Sequence, residues 1–313
     1  MSERVGKKAD NAVRELAVDV AGEEQGLRRS LSIPWHRLSD LLGGGLRPGE
    51  VTILAGGVGS AKSYLSLCLC LHCYRKNVLF SLLPCEDTAS DAMRRFWALL
   101  ENDWGLLKTD QDGAEKRGES LARSTRALDE IRECVCENPR TPEDDLYGGK
   151  FMPMLPWDSV TKWLRTASKE SKFIVCDPIT MFDFGCERVP EWQGQQDFIR
   201  EAVTFARTGN AHILLVCHLA KRSGRSEMPP TLDDVQGSTG FVRFAHNVLL
   251  LAGHEERESE VMRYGDGRET VTHKRTLTIG KTRNGPGTGL RLAFDFKERG
   301  PVLSELGIIA PKT

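Results

Sequence analysis

The stretch LAGGVGSAKSYL, Leu54 to Leu65, decides the reading of this chain. It nearly fits the phosphate-loop spacing G-x-x-x-x-G-K-[ST]: Gly56, Lys62 and Ser63 fall in place, and Ala61 stands where the second glycine belongs. An apolar run, VTILAG (51–56), precedes it, and SYLSLCLCLHCY, with helical apolar spacing, follows. A phosphate loop needs that strand, loop and helix order, because loop N–H groups and a helix N-terminus together cradle an anion. The binding stretch is then Gly56, Gly57, Val58, Gly59, Ser60, Ala61, Lys62, Ser63 and Tyr64. Lys62 would meet the β- and γ-phosphates of ATP, and the Ser63 hydroxyl would meet Mg²⁺. Alanine at 61 keeps the backbone N–H and adds one methyl. At negative φ that costs little and at positive φ it weakens the loop; the expectation is a tolerated methyl in a working loop.

Composition narrows the rest. At 313 residues the chain is long enough for one large α/β domain. Lys plus Arg number 43 against 44 Asp plus Glu, which excludes a surface basic all over and leaves room for a local basic loop. The nine cysteines lie mostly in apolar runs such as LSLCLCLHCY, FIVCD and ILLVCH, where they read as small buried hydrophobes. Cys68, Cys70 and Cys73 with His72 lack a second pair at zinc-ligand spacing, so core packing is favoured over a metal. Cys134 and Cys136 stand alone in a polar region. The opening MSERVGKKADNAVREL is too charged for a signal peptide, and no apolar run reaches membrane-spanning length. A reducing cytoplasm is the expected compartment, with no membrane partner.

Apolar β-branched runs alternate with helical patterns, the signature of a mainly parallel sheet covered on both faces. The strand candidates are 51–56, 77–83, 172–177, 212–218, 247–253, 276–281 and 290–296. The last two flank TRNGPGTG, too short for a crossover helix, and should form an antiparallel hairpin at the sheet edge. Residues 1–32 read as a tail or linker helix, 33–300 as one domain and 301–313 as a tail. A polar, partly helical excursion occupies 108–149, and a long Pro-containing loop occupies 222–234.

Two more segments carry chemistry. FIVCDP places Asp177 at the C-terminal end of a buried strand, where open α/β sheets bind ligands and where a carboxylate can hold the magnesium shell. SLLPCEDTASDAMRRF places Glu86 at the tip of a strand read as the neighbour of the loop strand, where it can orient and deprotonate an attacking water. Asp87 or Thr88 would cap the helix that follows.

In order along the chain, GGGLRPGEVTILAG, SLLPCED, FIVCDP, LLVCHLAKRSG, DDVQGSTGFVRFAHNVLLL and LTIGKTRNGPGTGLRLAFDF resemble the motifs of the RecA-like ATPase core of hexameric superfamily 4 helicases. The likeness spans about residues 33 to 297 and is closest to the DnaB-type motor and to small plasmid RepA-type helicases. It implies a RecA-like P-loop fold. It also implies catalytic roles for Lys62, Glu86 and Asp177, with Ser63 and Asp177 on Mg²⁺ and a γ-phosphate sensor at His218. Lys281 and Arg283 match a basic pair that reaches the neighbouring subunit's γ-phosphate, which requires a homo-oligomer, a hexamer in the family. LAKRSGRSEMPP matches a first channel loop, with Lys221, Arg222 and Arg225 on phosphates of single-stranded DNA. QGSTGFVRF matches a second, with Gly237, Ser238 and Gly240 allowing close approach and Arg243 adding charge. FAHN stands where the family often has acidic residues before VLLL.

The reading is an ATP-hydrolysing ring motor that moves on single-stranded DNA, a helicase of 5′ to 3′ polarity by resemblance. A bacterial, phage or plasmid setting follows, with a replication initiator, loader or primase as further partner classes. The competitors are a RecA- or KaiC-like ATPase of recombination, loading or signalling, and a weakly hydrolysing nucleotide-dependent scaffold.

Overall fold

Every residue of the strand Val51–Gly56 (β1) is buried, as a strand covered on both faces must be. The computed structural model describes residues 20–22, 30–109, 114–137, 154–185, 190–220, 229–237, 239–262 and 267–311. In chain order, its elements begin with α1 (His36–Leu41), β1, α2 (Lys62–Arg75), β2 (Phe80–Pro84), α3 (Ala89–Glu101) and α4 (Ala114–Arg132). Then come β3 (Leu155–Pro156), α5 (Trp157–Glu170), β4 (Phe173–Asp177), β5 (Phe182–Asp183), α6 (Glu191–Gly209) and β6 (His212–His218). The chain closes with α7 (Thr239–Phe244), β7 (Asn247–Met262), β8 (Arg268–Thr282), β9 (Arg291–Phe296) and β10 (Leu303–Ile309).

The main sheet runs β10-β9-β8-β7-β1-β6-β4-β2. Its half from β7 to β2 is parallel, and β8, β9 and β10 are antiparallel. Strand alternation sorts the core into two layers. Leu54, Phe173, Val175, Leu214 and Val216 pack with α2 and α3 on one face, while Ile53, Ile174, Cys176, Ile213 and Leu215 pack with α5 and α6 on the other. Helix α2 is apolar on nearly all sides and correspondingly buried through Leu65, Leu67, Leu69, Cys70 and Leu71.

Four expectations need correction. The strand carrying Glu86 is not beside the loop strand, because β6 and β4 lie between β1 and the edge strand β2. The hairpin of β8 and β9 forms as expected but is not the sheet edge. Residues assigned to a C-terminal tail supply the edge instead, as β10 pairs with β9 and touches β7 through Ile308 and Ile309. The strand read at 247–253 runs on to Met262 and the one read at 276–281 begins at Arg268, giving a long antiparallel pair. The excursion is helical over Ala114–Arg132; 110–113 and 138–149 lie outside the described residues.

The cysteines follow the packing reading. Cys68, Cys70 and Cys73 are free and buried, and burial pushes the Cys73 thiol up to about 12. Among the described residues no group of three or more His, Cys, Asp or Glu could hold a metal, and no helix is long and apolar enough to cross a membrane.

Candidate nucleotide site

The parallel register lines up the ends of four strands. Gly56 of β1 pairs with His218 of β6, and Pro84 of β2 pairs with Asp177 of β4. Gly56, His218, Asp177 and the Cys85–Glu86 turn therefore share the carboxyl edge of the sheet, the place where open α/β sheets take ligands.

The loop after β1 is tightly built. A Cβ on Gly56 would lie 2.5 Å from both the Leu251 carbonyl oxygen and Ser60 Oγ, so only glycine fits there. Ser60 Oγ is buried with no hydrogen-bond partner among the described residues. Lys62 is buried too, and its Nζ donates to the Gly57 carbonyl oxygen at 2.8 Å. Burial lowers the Lys62 pKa, against the opposing pull of Asp177, Cys217 and Glu86. No side chain caps α2, whose first turn leaves N–H groups without intrahelical partners. An orphaned hydroxyl, a folded-back ammonium and an uncapped helix start all suit a phosphate chain.

Ala61 is the N-cap of α2 at φ 77° and ψ 27°, in the left-handed region. The condition for a small cost, a negative φ, is not met. An alanine here costs about 1 kcal/mol relative to the glycine the loop spacing calls for. Its methyl packs against the apolar layer beneath α2.

Asp177 accepts from Ser66 Oγ at 2.9 Å and is hydrogen-bonded by Ser63 as well. Desolvation raises its pKa to about 6, and the two serines and Lys62 pull the other way. Ser63 and Asp177 thus form an oxygen pair of the hard-donor kind that magnesium takes. Ser66 was not singled out from sequence. Its signal was its position three residues after Ser63, on the same helix face.

Glu86 reaches back from the sheet edge to His218, with Oε2 3.8 Å from Nε2. The Glu86 side chain is 56 % exposed, so a water can reach it. Burial and the Lys62 charge lower the His218 pKa, and Nδ1 of His218 is buried without a partner among the described residues. Beside them Asp87 is paired with Arg95, whose Nη2 donates to Oδ1 at 3.0 Å. The cap of α3 is Thr88, in a reciprocal capping box with Asp91. A small cleft lined by Ser63, Pro84, Asp87, Arg95 and Asp177 opens between these groups. Tyr64, its ring centroid 5.9 Å from the Arg95 guanidinium, lies in an edge-to-face cluster with Trp104 and Phe296, ring centroids 5.3 and 5.5 Å away.

The channel-loop candidates divide. Lys221, Arg222, Arg225 and Ser238 lie outside the described residues. The roots of the two loops meet at His218, whose carbonyl oxygen accepts from the Gln236 N–H at 3.0 Å. Gly237 has φ 117°, and a Cβ there would lie 2.6 Å from the Phe241 ring. Gly240 is buried in α7. Internal packing thus already requires glycine at 237, whatever else approaches the loop. Arg243 is exposed and lies 5.7 Å from the Phe244 ring centroid.

Lys281 and Arg283 are far from the loop of their own chain. The Arg283 N–H donates to the His246 carbonyl oxygen, and the His246 N–H donates to Val51, at the start of β1. Gly56 is five residues on, roughly 16 Å along the strand. Lys281 Nζ donates to the carbonyl oxygens of Val242, Arg243 and Ala245 at 2.8, 3.1 and 2.8 Å. In the FAHN segment, His246 Nδ1 accepts from the Val51 N–H at 3.1 Å, and Asn247 donates to Glu50 and Thr52. An acid is thus present at this spot, supplied by β1's side as Glu50.

Residues 24–224 match the family described as AAA domain. Among solved structures, one ATPase domain is similar at 14 % identity with a TM-score of 0.65, covering 95 % of this chain and 99 % of that one. A DnaB-like replicative helicase, solved to show its interactions with primase, aligns at 12 % identity and a TM-score of 0.67 over 98 % of this chain and 68 % of that one. A KaiC-like protein of Pyrococcus horikoshii OT3 aligns at 15 % identity and 0.53 over 91 % and 99 %. No curated protein matches. The family match covers more than half of the chain and includes the phosphate loop, Glu86, Asp177 and His218, so the protein belongs to the AAA domain family, with a RecA-like ATPase fold.

Proposed function

We propose that this chain is an ATP-hydrolysing motor that acts between subunits of a ring and moves along single-stranded DNA in the manner of a replicative helicase. The observation that carries the reading is the split of the site. Phosphate loop, metal pair and Glu86 share the carboxyl edge of the sheet, while Arg283 sits at the opposite edge. Arg283 therefore cannot serve the phosphate loop of its own subunit, and in this reading it serves the loop of a second copy, adding positive charge there to that of Lys62.

In this reading the uncapped start of α2 and the Gly56–Ser60 loop hold the phosphates, and Lys62 leaves the Gly57 carbonyl to neutralise them. Ser63 and Asp177 would hold Mg²⁺, which when bound would stabilise the negative charge of the phosphates. Glu86 orients the attacking water and takes its proton. Its carboxylate faces His218, and the His218 carbonyl holds Gln236 beside Gly237. In this reading a change at the γ-phosphate reaches the root of both channel loops through the Glu86–His218 contact and the His218–Gln236 hydrogen bond. Lys221, Arg222, Arg225 and Arg243 are assigned to DNA phosphates on their charge. The fold relatives include a replicative helicase and a KaiC-like protein; the Glu86, Asp177 and Arg283 set favours turnover over a passive scaffold.

The deciding experiment measures ATP hydrolysis with and without single-stranded DNA, at a concentration where sizing gives the oligomeric state. Stimulation by DNA in the oligomer supports the motor. Turnover indifferent to DNA favours the signalling-type ATPase, and no turnover favours the scaffold.

A further inference from the structure

The basic pair Lys281 and Arg283 does not present two equivalent cations. An ammonium has three N–H donors, and the three carbonyl oxygens of Val242, Arg243 and Ala245 engage Lys281 Nζ at 2.8 to 3.1 Å. None is left for a phosphate. Burial and the neighbouring Arg283 charge lower its pKa. Arg283 differs. It is exposed, and of its five donors one Nη2 bond, to the Arg243 carbonyl at 3.0 Å, is made among the described residues.

The segment carrying Arg283 is pinned on both sides. Its N–H is bonded to His246 at 3.1 Å, Asn284 donates to the buried Glu50, and the Gly287 N–H donates to Leu41 at 3.0 Å. The three carbonyls that Lys281 gathers end α7, the helix entered from Gly237. Lys281 thus joins the end of β8 to the helix behind the second channel loop, two residues before Arg283.

We propose that Lys281 is a positioning residue and not a second finger: it clamps the last turn of α7 to β8, so that the second channel loop and Arg283 move as one body. The clamp acts within its own chain, and Arg283 alone reaches across to the neighbour. This deepens the motor reading and rests on it for the link to hydrolysis, while the clamp itself does not.

Two measurements on the full chain test it. The first is amide hydrogen exchange of Lys281→Met. The Ala245 and His246 amides, bonded to Phe241 and Val51, should exchange roughly tenfold faster or more, with the strands β1, β4 and β6 unchanged. Unchanged protection at 240–246 overturns the clamp whether or not the protein hydrolyses ATP. If Lys281→Met does not fold, Lys281→Arg serves, since a planar guanidinium cannot converge on three carbonyls and should loosen the same amides to a lesser degree. The second is subunit mixing. Adding Lys62→Ala subunits should restore hydrolysis to Arg283→Ala but not repair the defect of Lys281→Met in DNA-stimulated turnover. Equal rescue of both would make Lys281 a finger and overturn the proposal. A wild type without turnover would sink the motor reading and leave the exchange test standing.

Discussion

Glu86 and His218 face each other across 3.8 Å although β4 separates the strands that carry them. A carboxylate at the sheet edge thus reaches the row of groups that begins at the phosphate loop. If Glu86 is the base, Glu86→Gln removes the proton acceptor while keeping size and hydrogen-bonding shape. Hydrolysis should fall by about 100-fold or more, and nucleotide affinity should change little. Single-turnover rates with a separate binding titration check this, and hydrolysis retained within a few-fold would remove Glu86 from the reaction.

The finger makes a prediction about mixtures. Arg283→Ala subunits keep a complete loop and metal pair, and Lys62→Ala subunits keep Arg283. Each population alone should be nearly inactive, and mixing them should restore a share of sites that combine one good loop with one good arginine. Activity flat at every mixing ratio would count against action between subunits.

Much of this was legible in the chain, for a physical reason. Strands buried on both faces must be apolar throughout, so β1, β4 and β6 stood out as continuous runs. The phosphate loop showed itself because backbone geometry restricts residue choice there. Strand order was not legible, since nothing in SLLPCED records that β2 lies beyond β4. The outer halves of β7 and β8 were hidden by HEERESE, whose polar side chains face solvent while the backbone pairs with β8. The role of Lys281 was hidden too: its partners lie 36 to 39 residues away and are backbone carbonyls, which leave no mark in sequence.

The torsion at Ala61 gives a test of the loop. Glycine at φ 77° relieves the left-handed strain and gives back some backbone entropy, so Ala61→Gly should stabilise the protein by about 1 kcal/mol or less. Thermal unfolding should shift up by roughly 2 °C. A lower midpoint would mean that the methyl's packing against the core outweighs the strain.

For the first channel loop the test is salt. Replacing Lys221, Arg222 and Arg225 with Ala should weaken single-strand binding and reduce the slope of log affinity against log salt by about 2, since each neutralised phosphate contributes about 0.7. An unchanged slope would take that loop out of the DNA path.

Acid should weaken the fold through His212. This imidazole is fully buried, with Nδ1 against the Arg47 carbonyl at 2.8 Å and Nε2 against Thr52 Oγ1 at 3.0 Å. Desolvation lowers its pKa to about 4 from an ordinary 6.5. The unfolded chain therefore binds more protons between those values, and stability falls as pH drops through that window and levels off below it. The full loss from this one group is on the order of 3 kcal/mol, and about 2 kcal/mol of it is felt by pH 5. His212→Gln cannot take up the proton, so it should lose less stability than wild type between pH 7 and pH 5. Denaturant midpoints at the two pH values measure the difference, and parallel losses in both proteins would place the acid sensitivity elsewhere.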